Sequence, residues 1–224
     1  MEVTDYMKKK QYLVIGLGRF GKSIAITLSE LGNDVLAVDS REDNVQYIAP
    51  YVTQAIQANA TEEENLKALG VNNFDAAIIG IGVDIQSSVV VTLLLKEMGI
   101  KYILAKANTE LHAKILYKIG ADKVVFPEKD TAIRVAHSMA SGNILDFIKL
   151  SSEYRIAEVL CPKEWWGKSL GELHVRAKYG INIIGIKRGM EVNISLTSES
   201  RVFKDDIIVA IGGQKEIEKL ENNI

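Results

Sequence analysis

The first 126 residues alternate short, uniformly apolar runs with stretches of helical periodicity, and this alternation restricts the possible folds more than any other feature. Most of the apolar runs are apolar throughout rather than at every second residue, which is typical of strands covered on both faces. Strands that alternate with helices form a parallel sheet, because each parallel pair needs a crossover connection. The pattern therefore predicts an α/β fold with a doubly wound parallel sheet.

The individual elements of this sheet follow from the runs themselves. The predicted strands cover residues 12–15, 35–38, 54–58, 76–79, 102–105 and 123–126. The predicted helices cover residues 20–31, 45–49, 62–69, 85–98 and 111–119. Glycine ends four of these helices, at Gly32, Gly70, Gly99 and Gly120. Because glycine adopts the left-handed helix cap without strain, these positions predict where the helices stop.

The pattern changes in the last third of the chain. Pro127 is predicted to end the sixth strand, and a helix over residues 132–140 leads to a boundary near residue 143. Further strands are predicted at 154–160, 181–186, 192–196 and 207–211, with a hairpin connection at 187–190 and short helices at 169–174 and 215–221. The expected domains are therefore residues 10–143 and a small α+β domain over residues 144–224.

Composition excludes several classes of function. With 27 basic and 29 acidic residues the net charge is −2, so the chain offers no broad basic surface for nucleic acid. The single cysteine, Cys161, rules out an internal disulfide and a multi-cysteine metal site. No apolar run reaches the ~18 residues that cross a bilayer, and no signal peptide is recognisable. These features predict a cytoplasmic protein that could reach a membrane only through a partner.

The first predicted strand leads into a glycine-rich loop, Gly16-Leu17-Gly18-Arg19-Phe20-Gly21, which also opens a helix. Asp39 closes the second strand, 21 residues after Gly18. A strand, a G-x-G-x-x-G loop, a helix and a following acid together indicate a Rossmann-like nucleotide site. In such a site Gly16 permits the tight turn, Gly18 lets the backbone approach phosphates, and Gly21 lets the helix pack closely on the strand.

Two charged residues define what this loop could bind. Asp39 can accept hydrogen bonds from the ribose hydroxyls, and the amides at the helix N-terminus can face the phosphates. Arg19 lies within the loop, where its guanidinium could contact a terminal phosphate that NAD lacks. The alternative for Arg19 is a solvent-facing position in the first helical turn.

Two further loops follow strands at the same edge of the sheet. Asn59-Ala60-Thr61 follows the third strand, where the adenine edge lies in such folds, so Asn59 could contact the base. The structural alternative is that Thr61 caps the next helix, with Glu64 completing a capping box. Gly80-Ile81-Gly82 follows the fourth strand and again allows the backbone to approach a ligand closely.

Residues suited to catalysis are not apparent at this site. The three histidines, His112, His137 and His174, do not follow strand ends, and no Tyr-x-x-x-Lys stands at the position a dehydrogenase would need. The second domain is also too small for the usual catalytic lobe. We therefore expect a binding protein rather than an enzyme, with the nucleotide as a signal; a small NAD-dependent oxidoreductase is the alternative.

Beyond the glycine loop, the chain resembles the regulator-of-potassium-conductance family (RCK, also called KTN). Within that family it is most similar to the cytosolic regulatory subunits of Ktr-type potassium uptake systems. The segments that carry the resemblance are 14–21, 36–39, 59–62, 85–88, 93–97, 118–122, 126–130 and 175–180, so it spans nearly the whole chain from residue 10. One departure is Lys22, where close relatives often have a second glycine after Gly21.

The resemblance implies a mechanism of regulation. The first domain would be the RCK N-lobe, which binds ATP or ADP, and the second the RCK C-lobe, which binds cyclic di-AMP at a dimer interface. The helix near residues 131–139 would be the crossover helix that pairs protomers. Homodimers would assemble into an octameric ring on the inner face of the cell membrane, docked to an integral membrane potassium-translocating subunit. The alternative within the family is an NAD(H)-sensing, Trk-type regulator.

The resemblance also assigns individual residues. Arg19 would sense the third phosphate of ATP, and Glu128 would hold a cation (Mg, Ca or Na) at the dimer interface. The predicted nucleotide site comprises Gly16, Gly18, Arg19, Phe20, Gly21, Asp39, Ser40, Asn59, Ala60, Thr61, Gly80, Ile81, Gly82, Lys106 and Glu128. The predicted cyclic dinucleotide contacts are Val175, Arg176, Asn182, Ile183 and Ile184.

Overall fold

The structure, a computed structural model, describes residues 9–140 and 144–222. The chain divides into two compact units, Met1–Pro127 and Glu128–Ile224. Each unit has its own sheet and its own hydrophobic core. The domain boundary predicted near residue 143 falls outside the described residues.

The sheet of the first unit is fully parallel, as the uniformly apolar runs predicted. Its strands are β1 (Gln11–Ile15), β2 (Asp34–Asp39), β3 (Gln54–Gln57), β4 (Ala76–Ile79), β5 (Ile103–Lys106) and β6 (Lys123–Val125). They lie in the order β3-β2-β1-β4-β5-β6. From β1 the successive strands are added on one side, as β2 and β3, and the chain then returns to add β4, β5 and β6 on the other side. The order of the strands therefore reverses between β1 and β4, and ligands of doubly wound sheets bind at that switch point. The predicted fold class is confirmed.

Five helices connect these strands: α1 (Arg19–Glu30), α2 (Glu42–Ile48), α3 (Glu63–Ala68), α4 (Ile85–Glu97) and α5 (Glu110–Lys118). The four glycines predicted to end helices all have positive φ, at +85° (Gly32), +63° (Gly70), +83° (Gly99) and +110° (Gly120). Their left-handed conformation confirms the predicted stops, because a side chain there would strain the backbone.

The two faces of the sheet pack against different helices. On one face Val14 and Ile78 pack with Ala25 of α1 and Ile48 of α2. On the other face lie the buried side chains of α3, α4 and α5, which include Leu66, Leu95 and Leu116. The first two helices therefore cover the face that carries Val14, and the next three cover the opposite face.

The second unit contains the long helix α6 (Pro127–Ala140) except for its first residue, Pro127, which closes the first unit. Its strands are β7 (Ile144–Lys149), β8 (Tyr154–Leu160), β9 (Asn182–Arg188), β10 (Glu191–Asn193) and β11 (Ile207–Gly213). Three short helices, α7 (Leu170–Leu173), α8 (Val175–Tyr179) and α9 (Gln214–Asn222), complete it. The sheet is antiparallel, in the order β10-β9-β11-β8-β7.

Several predictions for this part of the chain were wrong in their bounds. The helix predicted at 132–140 already begins at Pro127, because proline suits the first position of a helix, where its missing N–H would have no partner. The strand predicted at 192–196 ends at Asn193, whose Oδ1 accepts a hydrogen bond from the Ser195 N–H at 2.9 Å and forms a turn. The hairpin is confirmed, since Arg188 pairs with Glu191 across its two-residue loop.

Within the described part of the chain, no helix is both long enough and apolar enough to cross a membrane.

Candidate nucleotide-binding site

The glycine loop is built from backbone packed against backbone. Gly16 has φ +88°, and its N–H donates to the Val38 carbonyl at 2.9 Å. A Cβ added at Gly21 would lie 2.0 Å from the Gly16 carbonyl oxygen, and one added at Gly80 would lie 2.4 Å from the same atom. Neither position therefore has room for a side chain, and the loops after β1 and β4 meet directly at the switch point.

Gly18 differs from its neighbours in that nothing in the described structure requires it to be glycine. Its φ of −67° is open to any residue, and no atom lies within 4 Å of a Cβ added there. Gly18 is also the N-cap of α1, where the free helix amides and the positive end of the helix dipole attract anions. The space in front of Gly18 is thus available for a phosphate group.

Asp39 connects the ends of β1 and β2. Its Oδ2 accepts a hydrogen bond from the Leu17 N–H at 2.6 Å, and its Oδ1 accepts one from the Arg41 N–H at 2.9 Å. Each carboxylate oxygen can accept a further hydrogen bond, so two ribose hydroxyls can still be bound. The carboxylate therefore positions the glycine loop, a contact that the sequence did not predict.

Three side chains at the start of α1 have different surroundings. Arg19 is the first residue of the helix and is exposed. Phe20 is partly buried and packs with the apolar cluster beside α1, and its contact with a nucleotide stays a prediction. The Lys22 Nζ lies 4.4 Å from the centre of the Tyr47 ring of α2, which places its charge on an aromatic face.

The loop after β3 is stabilised by hydrogen bonds that its own side chains make within the loop. Asn59 Oδ1 accepts hydrogen bonds from the Thr61 N–H at 3.1 Å and from the Thr61 hydroxyl at 2.8 Å, while Asn59 Nδ2 donates to Glu62 at 2.8 Å. The predicted capping box at Thr61 was wrong: Glu62 is the N-cap of α3, without a side-chain hydrogen bond. Contact between Asn59 and an adenine stays a prediction, as do the contacts of Ala60 and Ser40.

The loop after β4 lies against residues from the end of β5. A Cβ added at Gly82 would be 3.0 Å from Lys106 Cε and 3.1 Å from Asn108 Oδ1. The Asn108 side-chain amide also donates a hydrogen bond to the Gly82 carbonyl. Asn108 was not predicted, although it follows β5 at the carboxyl edge of the sheet, the same signal that identified Asp39 and Gly80-Ile81-Gly82.

Glu128 lies in the first turn of α6, where its negative charge faces the positive end of the helix dipole. Among the described residues, no group of three or more histidine, cysteine, aspartate or glutamate side chains is arranged to hold a metal ion. A cation at Glu128 would thus need ligands from elsewhere, such as a nucleotide or a second protomer.

The predicted cyclic dinucleotide residues surround the turn between α8 and β9. Val175 is buried, and Ile183 packs against the core of the second unit. Arg176, Asn182 and Ile184 are exposed, and Ile184 is the extra residue of a β-bulge in the pairing of β9 with β11. Three of the five residues therefore present their side chains to the surface.

The fold and the site define a class: a Rossmann-like nucleotide-binding domain followed by a small α+β domain. Residues 12–127 match the TrkA-N domain family and residues 155–224 match the TrkA-C domain family. Over 216 residues the chain is 44% identical to Ktr system potassium uptake protein C of Bacillus subtilis (strain 168), covering 96% of this chain and 98% of that protein. Identity to protein A of the same system and organism is 45%, covering 96% of this chain and 97% of that protein. The chain belongs to the RCK family, in its Ktr branch.

Solved structures agree with this assignment at the level of the fold. The GsuK RCK domain superposes with a TM-score of 0.67 at 18% identity, covering 98% of this chain and 48% of that chain. The GsuK channel bound to NAD superposes with a TM-score of 0.64 at 17% identity, covering 97% of this chain and 40% of that chain.

Proposed function

We propose that the chain is the cytosolic regulatory subunit of a Ktr-type potassium uptake system, in which an adenine nucleotide in the first domain is the signal. The observation that carries this proposal is the similarity over 96% of the chain to two Ktr system potassium uptake proteins. The protein has no catalytic role in this proposal. Its partner is a separate integral membrane subunit that conducts potassium.

The geometry of the loop supports adenine nucleotide as the ligand. The open space at Gly18 suits phosphates at the N-terminus of α1, and Asp39 beside it suits a ribose. ATP and ADP share adenine, ribose and two phosphates, so only a contact to the third phosphate can distinguish them. A ligand changes a conformational equilibrium only through its differential affinity for the two states. We assign that contact to Arg19.

The same proposal includes the assembly. Homodimers would form an octameric ring beneath the membrane subunit, and a cation held by Glu128 would reduce charge repulsion at the dimer interface. ATP would favour the conducting state and ADP the inactive state. Because nucleotides would bind near the contacts between protomers, the nucleotide that is bound would set the angle between protomers in the ring. That angle would in turn control whether the transporter conducts potassium.

An NAD(H)-binding regulator is the second candidate. The GsuK channel has been solved with NAD, and Asp39 suits the ribose of NAD as well as that of ATP. A thermal-shift panel of ATP, ADP, NAD and NADH separates the two candidates. A ligand at 100 times its dissociation constant adds about 2.7 kcal/mol to the stability, which is readily measured.

Substitution of Arg19 tests the proposed switch. In Arg19→Ala we expect ADP affinity within about twofold of wild type and ATP affinity lowered at least about tenfold, as for the loss of a charge-assisted hydrogen bond. Calorimetry measures both affinities, and potassium flux into vesicles with the partner subunit should no longer differ between ATP and ADP. Lys22→Met, which removes the cation over Tyr47, is the control and should keep the difference. Equal losses for ATP and ADP in Arg19→Ala would show that another residue senses the third phosphate.

We further propose that the second domain binds cyclic di-AMP between two protomers, with Arg176 contacting its phosphates. Arg176 is exposed on α8, and a guanidinium can bind a phosphate with two parallel hydrogen bonds. In Arg176→Ala we expect cyclic di-AMP affinity to fall about tenfold or more while ATP affinity is kept. Lys178→Ala, an exposed cation on the same helix, is the control. Undiminished cyclic di-AMP binding by Arg176→Ala would overturn the assignment.

A further inference from the structure

Two N–H groups in the loop after β4, those of Ile81 and Gly82, have no hydrogen-bond partner among the described residues. The preceding residue differs, since the Gly80 N–H donates to the Ile15 carbonyl at 2.7 Å. Gly82 is buried, and buried backbone N–H groups in folded proteins are almost always hydrogen-bonded. These two N–H groups are therefore donors that a ligand can use.

Both donors belong to a segment that touches the glycine loop. A Cβ added at Gly16 would lie 2.8 Å from the Ile81 backbone nitrogen, so the two loops are in direct contact. Successive backbone N–H groups form sites for anions, and ligands of such sheets lie across the carboxyl ends of neighbouring strands. The loop after β4 therefore extends the row of donors that begins at the N-terminus of α1, in front of Gly18.

The position of this loop depends on Asn108. The Asn108 Nδ2 donates a hydrogen bond to the Gly82 carbonyl, and a Cβ added at Gly82 would lie 3.1 Å from Asn108 Oδ1. Both ends of the side-chain amide thus lie against Gly82. Glycine has more conformational freedom than any other residue, so its backbone could otherwise rotate. The hydrogen bond from Asn108 restricts that rotation and with it the direction of the neighbouring N–H groups.

Asn108 is itself fixed on both sides by regular structure. Ala107 is buried, and its N–H donates to the Val125 carbonyl of β6 at 2.9 Å. Thr109 is the N-cap of α5, and its hydroxyl oxygen accepts a hydrogen bond from the His112 N–H at 3.1 Å. A side chain mounted between a strand and a helix holds its partner more precisely than one on a free loop.

We propose that Asn108 is a positioning residue of the nucleotide site: it holds Gly82 so that the donors of the loop after β4 face the phosphates of the nucleotide. Asn108 does not touch the nucleotide in this proposal. Fixing the loop before binding raises affinity, because less ordering is needed when the ligand arrives. The inference rests on the proposed function and adds to it a residue that neither the glycine motif nor the resemblance assigns.

The comparison of ATP with adenosine in Asn108→Ala tests the proposal on the full-length protein. Asn108 is exposed, so the variant should fold. Displacement of a fluorescent ATP analogue gives both affinities. We expect ATP affinity to fall about five- to tenfold, as for a lost hydrogen bond, and adenosine affinity to stay within about twofold of wild type. Adenosine has the base and the ribose but no phosphate, so a general disturbance of the domain would weaken both ligands.

Asn33→Ala is the matched control. It removes a bond of the same type, from Asn33 Nδ2 to the Leu28 carbonyl at 3.1 Å, at the opposite edge of the sheet, and should leave both affinities unchanged. Asn108→Asp keeps the shape of the side chain but cannot donate, so it should weaken ATP at least as much as Asn108→Ala. Amide hydrogen exchange of residues 80–85 without ligand should be faster in both Asn108 variants than in wild type or Asn33→Ala.

Unchanged ATP affinity in either Asn108 variant would overturn the proposal, and so would equal losses for ATP and adenosine in Asn108→Ala. Exchange of residues 80–85 at the wild-type rate in both variants would also contradict it, because the loop would then be fixed by something else. The wild-type titration separates this failure from failure of the proposed function. If wild type binds no adenine nucleotide, both proposals are wrong; if it binds ATP and the variants do too, only the role of Asn108 is wrong.

Discussion

Gly21→Ala is expected to destabilise the first domain by about 3 kcal/mol or more, because its Cβ would lie 2.0 Å from the Gly16 carbonyl oxygen. The obstacle is backbone, which cannot rotate away as a side chain could. Either α1 or the loop must move, and each movement disturbs the hydrogen bond between Leu17 and Asp39. Urea denaturation monitored by circular dichroism would measure the change in the free energy of unfolding.

Gly18→Ala is the matched control, since it adds the same methyl group three residues earlier. No described atom lies within 4 Å of that Cβ, and the backbone there has negative φ. Stability should therefore change by no more than about 0.5 kcal/mol, as for an ordinary surface substitution. Adenine nucleotide affinity should nevertheless fall by about tenfold or more, because the methyl group occupies the space assigned to phosphate. Normal ATP binding by Gly18→Ala would show that the ligand lies elsewhere.

Asp206→Asn is expected to destabilise the second domain by about 2–4 kcal/mol. The Asp206 carboxylate is buried and accepts hydrogen bonds from Arg188 Nε and Nη2, each at 2.7 Å, and from the Phe203 N–H at 2.8 Å. An amide of the same shape can accept at only one of its two ends and carries no charge for the guanidinium. The exposed neighbour Asp205 is the control, because asparagine tolerates its left-handed backbone, with φ +67°.

The same interaction makes a prediction for pH. Hydrogen bonding from Arg188 lowers the pKa of Asp206 below its usual value, so the folded state holds this proton less tightly than the unfolded chain. The stabilisation is therefore present above the unfolded pKa of about 3.9 and is lost as the pH falls through the folded value. Wild type and Asp205→Asn should lose this stability in acid, whereas Asp206→Asn should have a flatter profile there. Parallel profiles for all three proteins would show that Asp206 does not contribute.

Much of the first domain could be predicted because its signals are local. Uniform apolar runs mark strands buried on both faces, and glycine after a helix marks its end, as at Gly32 and Gly99. The second domain was harder. Strand β7 carries Asp146 within its apolar run and pairs at the edge of the sheet, so its sequence lacks a clean alternation. Helix α8 has five residues, too few for a periodic pattern. The residue before it, His174, has a left-handed backbone conformation.

The residues of the candidate site likewise divide into those that a local signal predicted and those that it did not. Gly16, Gly21 and Asp39 could be identified because a phosphate loop needs fixed spacing within one stretch of chain. The contact of Lys22 with Tyr47 and the hydrogen bond of Asn108 with Gly82 join segments that are distant in sequence. Nothing local distinguishes Lys22 and Tyr47 from ordinary surface residues, so only the folded structure reveals their contact, whereas the position of Asn108 just after β5 was a signal that could have identified it.

The contact among Gly16, Gly21 and Gly80 also has a mechanical consequence. Where two loops meet through side chains, rotamer changes can absorb a small displacement before it spreads. Here the atoms in contact are main-chain atoms, which cannot absorb a displacement by a change of rotamer. A shift of a few tenths of an ångström at the start of α1 would therefore move β4 and the loop that follows it together. In the proposed function, this rigidity would transmit the effect of one additional phosphate from the glycine loop to distant parts of the domain.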